Sequence, residues 1–370
     1  MKNRLLFAML GFLLILSTGY SKADEFKIFE LETKGIKVQI NSKLELFHIM
    51  AYLSNSNYLN NFDFSYKTDI DTFFASYKND NSVQFVKKVL QNYKAHLSIN
   101  GLFFDNNFKK DSSFIQFLQL DNFGLSNTLL NKSIILDSVN LSVESFARTS
   151  RFETFVENHQ VYYKGKIDEV AKEISGLEMM MDFEAFWGAK KDNYTIAITM
   201  LEKDIHAYWF TSNHKSNCVF FLSPKFVVDN DAVFGNSEIT NLSEGKMAAK
   251  DYIYYGAAHE IGHSFLNPMM DNFIEQIEQI AFQYSTSDPS KITFLCESIL
   301  RSLTAYFLIQ NQYDEFAQMV IQGEKQQGYI YNEIIVDLIK DYANSRNNYI
   351  RFNDYVPVFL DKLKLKVENN

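Results

Sequence analysis

Hydrophobic and polar positions divide the chain into a helical first part, a short stretch of strands and a helical end. After an extended start, FKIFELETKGIKVQI, the segment NSKLELFHIMAYL has helical spacing, with Ser42 and Glu45 placed as a capping box. Further helical patterns follow over 69–94 and 142–187. The runs YTIAITMLE, HAYWF and CVFFLSP are β-branched and aromatic and predict three strands, and helical periodicity returns from Gly245. These elements predict an α+β fold that is predominantly helical, with a small sheet before the last helices.

Length and composition allow one large or two ordinary domains. The 370 residues are 46% hydrophobic and 15% aromatic, which is enough for a sizeable core. We find no internal repeat and no long low-complexity segment. The change of pattern near residue 190 predicts a mainly helical region over 24–190 and a second domain over 191–370.

The first residues predict a cleavable secretory signal. Lys2 and Arg4 precede the apolar run LLFAMLGFLLIL, and small residues follow up to Ala23. An uncleaved anchor is the alternative, but the run is shorter than the roughly 18–20 residues that a spanning helix prefers. No other segment is apolar enough to cross a bilayer. We therefore expect residues 1–23 to be a signal peptide and the mature protein to be secreted or periplasmic, without stable membrane insertion.

The charge of the chain argues against nucleic-acid binding. The formal net charge is −9, and it becomes −12 without residues 1–23, because that segment carries three cations and no acids. An acidic surface repels the phosphate backbone.

One pentapeptide carries candidate chemistry. His259-Glu260-Ile261-Gly262-His263 spells H-E-x-x-H within the helical run DYIYYGAAHEIGHSFLNP, which we expect to end at Pro268. Residues four apart lie on one face of a helix, so both imidazoles can bind one Zn²⁺ at about 2.0–2.1 Å. Glu260 then flanks the open coordination position and can act as general base on water. Two core histidines without metal are the alternative.

A catalytic zinc site needs a third protein ligand. A metzincin would continue H-E-x-x-H-x-x-G-x-x-H, but Leu266 and Met269 stand where the glycine and the third histidine belong. The inverted H-x-x-E-H order is absent as well. These absences leave a carboxylate from a later helix.

Glu297 is the best candidate for this carboxylate. It interrupts the apolar helical run DPSKITFLCESILRSLTAYFLIQ, whose start is expected at Asp288 and Pro289. A buried carboxylate is costly unless it is paired or holds a metal. A plain helix pair with Arg301 is the alternative for Glu297, and a metal-bound Glu297 would have Arg301 as its supporting partner. The fallback ligands, from a polar segment that follows His263 closely, are Glu275 and Glu278.

The segments AAHEIGHSFLNP and CESILRSLTAYF resemble the gluzincin-type zinc metallopeptidases, in particular an uncharacterised, domain-of-unknown-function branch of secreted bacterial proteins. The likeness extends upstream to TDIDTFFASYKNDNSVQFVKKV and covers most of the chain from about Ile28. It implies a zincin-like catalytic domain in which His259, His263 and Glu297 bind zinc and Glu260 is the general base. The N-E-x-x-x-D form of the downstream motif is absent, because Arg301 stands at the position of its aspartate.

The remaining cysteines and histidines have several possible roles. Cys218 and Cys296 could form one disulfide or remain two buried thiols, and a ligand role for Cys296 is weak because Glu297 points about 100° away around the helix. The other histidines show no paired ligand spacing and are expected to be ordinary surface or core residues: His48, His96, His159, His206 and His214.

The sequence therefore predicts a secreted zinc metallopeptidase that hydrolyses peptide bonds with a zinc-activated water and Glu260 as general base, acting on a protein or peptide. The oxyanion donor is sought among the downstream tyrosines, Tyr331 and also Tyr329. Alternatives are an exported binding or scaffold protein with a structural or degenerate zinc site, and hydrolysis of a non-peptide amide.

Overall fold

A computed structural model describes residues 26–92, 100, 103, 129–224, 226–228, 230–233, 239–242, 245–247, 249–283 and 290–369. The predicted signal peptide, His96, Asp288 and Pro289 lie outside the described residues, so the export of the protein stays a prediction.

A five-stranded mixed sheet forms the β part of the fold. Its spatial order is β1-β2-β3-β5-β4, with parallel pairing of β3 to both β2 and β5 and antiparallel pairing in the two outer pairs. Two-residue turns with positive φ close both outer hairpins, at Lys34-Gly35 and at Asn213-His214. The strands are β1 (Ile28–Thr33), β2 (Ile36–Asn41), β3 (Asn193–Ile198), β4 (His206–Ser212) and β5 (Lys215–Leu222).

Two small hairpins separate this sheet from the next helix. Each is a two-stranded antiparallel sheet, so strand structure continues past Gly245, where helix was predicted to return. Their strands are β6 (Phe226–Val228), β7 (Asp231–Val233), β8 (Ile239–Leu242) and β9 (Gly245–Met247).

Helices make up most of the described chain. Six precede β3 in the sequence, in agreement with the predicted helical first part, and the others follow β9. They are α1 (Ser42–Leu53), α2 (Ser65–Phe73), α3 (Asn81–Asn92), α4 (Leu129–Thr149), α5 (Phe152–Ser175), α6 (Met179–Trp187), α7 (Ala249–Met270), α8 (Ile274–Glu278), α9 (Lys291–Gln310), α10 (Asp314–Gln326), α11 (Asn332–Asn344) and α12 (Phe352–Glu368). The predicted α+β, predominantly helical fold is thus confirmed.

Contrary to the expectation from the sequence, one helix among the described residues, α9, is long and apolar enough to cross a bilayer, but 61% of its apolar window is buried inside the fold. A buried core helix has the same composition.

Two predicted helix starts are wrong by one or a few residues. Asn41 caps α1, because its side chain accepts hydrogen bonds from the Lys43 and Leu44 N–H groups; Ser42 is therefore already inside the helix. Helix α9 begins after Ser290, whose hydroxyl accepts from the Thr293 N–H.

Pro268 does not end α7, which continues to Met270. A proline has no N–H, so the carbonyl four residues earlier, that of Ser264, loses its helical donor. The Lys191 ammonium donates to the Ser264 oxygen at 2.9 Å and lies 4.6 Å from the Phe265 ring centroid. A side chain from outside the helix therefore replaces the missing hydrogen bond, and the helix runs on.

One large core joins residues from both sides of the predicted boundary at 190/191. Ile36 to Gln39 of β2 pair with Tyr194 to Ala197 of β3, so the boundary passes through the sheet.

Both cysteines are buried free thiols, and no disulfide joins Cys218 to Cys296. Burial raises the pKa of Cys218 to about 11, so this thiol stays protonated and unreactive.

A cluster of buried polar side chains lies beneath the start of β4. Asn100 is central: its amide nitrogen donates to the Glu202 carboxylate at 2.7 Å and lies 3.3 Å from the His206 Nε2, and its oxygen is 3.2 Å from the His48 Nε2. Burial raises the pKa of Glu202 to about 8 and that of nearby Glu45 to about 7. The cluster therefore holds its carboxyl groups in the neutral form below these pH values.

We expect Glu202→Gln to flatten the pH dependence of stability. The folded pKa of about 8 lies above the ordinary value of 4.5, so the parent loses stability as pH rises from about 4.5 through 8. Glutamine cannot ionise, so the variant should gain stability relative to the parent as pH rises from 5 to 9, as measured by thermal denaturation. The control is Glu32→Gln, at an exposed position of β1. Parallel pH curves for parent and Glu202→Gln would contradict the burial argument.

Candidate metal centre

Helix α7 presents His259 and His263 on one face. The two residues are one turn apart, and their ring centroids are 5.1 Å apart with the ring planes at 85°. Both side chains keep some exposure, 19% for His259 and 15% for His263. They therefore lie at the boundary between the core and an accessible surface, where a ligand can reach them.

Glu297 reaches the same point from α9. One carboxylate oxygen lies 3.2 Å from the His263 Nε2 and the other lies 3.5 Å from the His259 Nε2. Among the described residues, these three side chains form the one group of three or more His, Cys, Asp or Glu residues whose donor atoms are close enough to share an ion. The structure thus brings together the three residues predicted as metal ligands.

The close approach of α7 and α9 depends on Gly262. A Cβ atom built on Gly262 would lie 2.5 Å from the Leu300 Cδ2 and 3.6 Å from the Trp187 ring. Leu300 is fully buried one turn after Cys296, so it has little room to move. The small residue inside the H-E-x-x-H motif therefore lets the helix that carries Glu297 pack against the one that carries the imidazoles.

The donor set fits zinc. Two imidazole nitrogens and one carboxylate oxygen are the donors of His₂Glu sites, and in a tetrahedral site ligand atoms about 2.0–2.1 Å from the metal are roughly 3.3 Å apart. The N···O separations of 3.2 and 3.5 Å, which run to different oxygens of Glu297, are close to this value, and the three donor atoms lie within 4.8 Å of one another. Among the described residues the cluster offers three protein donors, which leaves a fourth tetrahedral position for water or substrate.

The electrostatics of the cluster favour an ionised Glu297. Burial opposes its ionisation, but hydrogen bonds from His259 and His263 and their positive charge outweigh this and hold the pKa of Glu297 well below its usual value. Burial likewise lowers the pKa of His263, but Glu297 outweighs it and the net shift is upward. A negative carboxylate between two imidazoles attracts a cation, and zinc binding would displace protons from the histidines.

Second contacts hold two of the three candidate ligands in place. The His263 Nδ1 lies 3.2 Å from the Asn267 side-chain oxygen, so the ring can donate there and keep Nε2 for a metal. The Arg301 Nε lies 3.4 Å from Glu297 and its guanidinium also binds Glu324 and stacks 4.3 Å from the centroid of the Tyr329 ring. The Glu297–Arg301 pair is therefore present, and Arg301 contacts the carboxylate while that carboxylate also faces both imidazoles.

Glu260 lies next to the ligands and touches the sheet edge. Burial raises its pKa, and this effect exceeds the opposing charges of His259 and His263 and a hydrogen bond from the Ala207 N–H. Ala207 belongs to β4, which the sequence could not identify as the edge strand. The two-residue hairpin makes Ser212 and Lys215 a hydrogen-bonded pair, and by alternation the N–H and C=O of Ala207 and Thr211 point away from β5. Their direction explains how Ala207 can donate to Glu260.

The other candidate residues lie elsewhere. The Tyr331 hydroxyl accepts a hydrogen bond from the Gln283 N–H at 2.8 Å, and its role as oxyanion donor stays a prediction. The fallback residues Glu275 and Glu278 are exposed and outside the cluster. Cys296 is buried in the core and is not part of the cluster either.

Two of the remaining histidines share a partner. His48 and His206 both contact Asn100 in the buried cluster beneath β4. His159 pairs with Asp69, and His214 lies in the turn of the β4–β5 hairpin.

Comparison with known proteins gives one match. A family model described as a domain of unknown function (DUF4932) matches residues 36–361. No curated protein and no solved structure matches the chain.

We expect Glu297→Gln to weaken zinc binding by at least about 100-fold, beyond the 10–100-fold that loss of a supporting partner costs, because the neutral amide is a poor third ligand. Competition with a chromogenic chelator measures the affinity. The matched control is Glu278→Gln, at an exposed carboxylate outside the cluster. Equal affinities for Glu297→Gln and the parent would exclude Glu297 as a ligand.

Replacement of Arg301 by glutamine should also lower zinc affinity, by about tenfold, because Glu297 loses the cation that orients it. Arg351→Gln, which removes an exposed guanidinium paired with Asp354, should leave the affinity unchanged. If Arg301→Gln lowers only the melting temperature, the Glu297–Arg301 contact is a simple helix pair.

Proposed function

We propose that the chain, which belongs to the DUF4932 family, is a zinc-dependent metallopeptidase with a zincin-like catalytic arrangement of the gluzincin type. His259, His263 and Glu297 hold the ion and Glu260 is the general base. The observation that carries this proposal is the meeting of three donors within 4.8 Å of one another, beside a carboxylate that contacts an edge strand.

The number of donors favours a catalytic over a structural site. Structural zinc sites normally have four protein ligands, whereas catalytic sites have three and keep one position open. Three donors are present among the described residues, and they retain partial exposure. This favours turnover over the scaffold alternative. When bound, zinc supplies a Lewis acid that polarises a carbonyl and makes water acidic enough to ionise near neutral pH.

Glu260 has the surroundings that a general base needs. Burial raises its pKa, which makes the carboxylate a stronger base that can take a proton from water and pass it to the leaving amine. The Ala207 N–H is directed at the carboxylate. A carboxylate that could rotate freely would spend less time in line with the water, so this contact supports the catalytic role.

Strand β4 supports a peptide as the substrate. It is one of the two outer strands of the five-stranded sheet, it runs antiparallel to β5, and it packs against α7. An extended peptide can add to such an edge through backbone hydrogen bonds, which suit any sequence. The Ala207 N–H is directed at Glu260, but the Ala207 C=O and the N–H and C=O of Thr211 also point away from β5, so a peptide paired along this edge would run beside Glu260 and the candidate metal ligands. A non-peptide amide would gain little from this edge.

We expect Glu260→Gln to keep zinc and to lose cleavage. Glutamine is close in shape to glutamate, and residue 260 is not one of the proposed ligands, so zinc stoichiometry should equal that of the parent. Hydrolysis of an unfolded protein should fall by about 10²–10⁴-fold, because the general base is lost. Metal analysis and a fluorescent casein assay on the same samples measure both properties.

Glu275→Gln, at an exposed position, should behave as the parent in both assays. Cleavage that disappears with Glu260→Gln while the metal stays supports the peptidase. Equal activities in parent and Glu260→Gln, or zinc without any cleavage by the parent, would favour the scaffold alternative.

A further inference from the structure

A second concave site lies among α6, α9 and α11. It is a cavity of about 410 Å³, within the range of small-molecule sites. Its lining includes Tyr254 of the helix that carries the two histidines, and Tyr306 and Phe307 of the helix that carries Glu297. None of the metal ligands is among its lining residues.

Aromatic rings form much of its wall. The ring of Phe186 lies 5.4 Å from that of Tyr342 and 6.2 Å from that of Tyr306, measured between centroids. Tyr254 and Phe307 continue the same surface, with centroids 5.8 Å apart. These rings pack mainly into the core, and an apolar side chain placed in the cavity would meet the edges that remain accessible.

Arg346 lines the cavity with spare hydrogen-bonding capacity. One of its N–H groups donates to the Phe186 carbonyl at 3.1 Å, where the Tyr342 hydroxyl also donates, so Arg346 helps to satisfy the C-terminal end of α6. Its guanidinium stacks 4.9 Å from the centroid of the Tyr342 ring, which holds its plane in place. A guanidinium has five N–H donors, and within the described part of the chain no carboxylate lies within ion-pair distance of this one. The hydrogen bond from Arg346 to the end of α6 therefore uses only some of its N–H donors.

Asp182 supplies the opposite charge. The Tyr254 hydroxyl donates to one of its oxygens at 2.8 Å, which leaves further lone pairs. No cation among the described residues pairs with it. Asp182 lies one helical turn before Phe186 on α6, and its carboxylate borders the same cavity as the Arg346 guanidinium.

We propose that this cavity binds a free α-amino acid with an aromatic or large aliphatic side chain. The amino acid carboxylate would pair with the Arg346 guanidinium, its ammonium would pair with Asp182, and its side chain would lie against the aromatic wall. A cation and an anion that border one cavity of about 410 Å³ match a small zwitterion, and the aromatic residues around them match an apolar side chain on it. This binding site uses no metal ligand and stands independently of the peptidase activity.

The test is calorimetric titration of the full-length mature chain with L-phenylalanine. We expect saturable binding, weakened at least about tenfold for N-acetyl-L-phenylalanine, which lacks the ammonium, and for L-phenylalaninamide, which lacks the carboxylate. Arg346→Gln and Asp182→Asn should each weaken L-phenylalanine binding by a similar factor. Lys340→Gln is the matched control, because it removes an exposed cation from the same helix as Tyr342 without touching the cavity.

A second arm separates this cavity from the metal centre. The titration is repeated after zinc is removed with a chelator, and binding of L-phenylalanine should persist with unchanged affinity. Binding that needs zinc, or that is the same in Arg346→Gln and Asp182→Asn as in the parent, overturns the proposal, as does the absence of binding to the parent. Should Arg346→Gln unfold because α6 loses a contact, Asp182→Asn and Arg346→Lys still decide the question, since the latter retains the charge.

Discussion

The attraction between the Glu297 carboxylate and two imidazoles is the interaction on which the candidate site depends. Each partner is expensive to bury alone, and together they form a group that an ion of charge +2 can complete. This arrangement needs two helices in contact at one level. Gly262 permits that contact, because any side chain there would meet Leu300. Sequence spacing within α7 determines the relative positions of the imidazoles, and packing between α7 and α9 determines the position of the carboxylate.

The sheet edge is the second constraint. Ala207 donates outward to Glu260, while His206, the residue before it, turns its ring inward to Asn100 and stacks 4.5 Å from the centroid of the Phe221 ring. The start of β4 is therefore held from both sides, by a buried polar cluster beneath the sheet and by the candidate base above its edge. Burial of Glu45, His48 and Glu202 in that cluster is costly, and the network around Asn100 offsets part of the cost.

The local features of the candidate site could be predicted from the sequence alone. His259, Glu260 and His263 follow from helical spacing, and Glu297 follows from the rule that a carboxylate in an apolar helix needs a partner. Long-range pairings carry no local signal. Nothing in the FKIFELETKGIKVQI run indicates that β2 pairs with β3, more than 150 residues later, and no pattern marks β4 as the edge. Asn267 and Glu324 were missed because polar residues on helices are usually exposed. The spacing of His263 and Asn267, one turn apart, was the available signal for the first.

Pro268 shows how a local rule can be overridden by a distant side chain. The ammonium of Lys191 takes the place of a backbone donor, so the final turn of α7 has a hydrogen bond that its own residues cannot supply. Lys191 lies just before β3, in the middle of the chain, and it reaches Ser264 only once sheet and helix have docked. The last turn of α7 should thus order late during folding, after the β3 segment has docked. The turn that bears His259 can form early in a nascent chain, whereas the segment from Ser264 to Met270 becomes ordered only after Lys191 has reached Ser264.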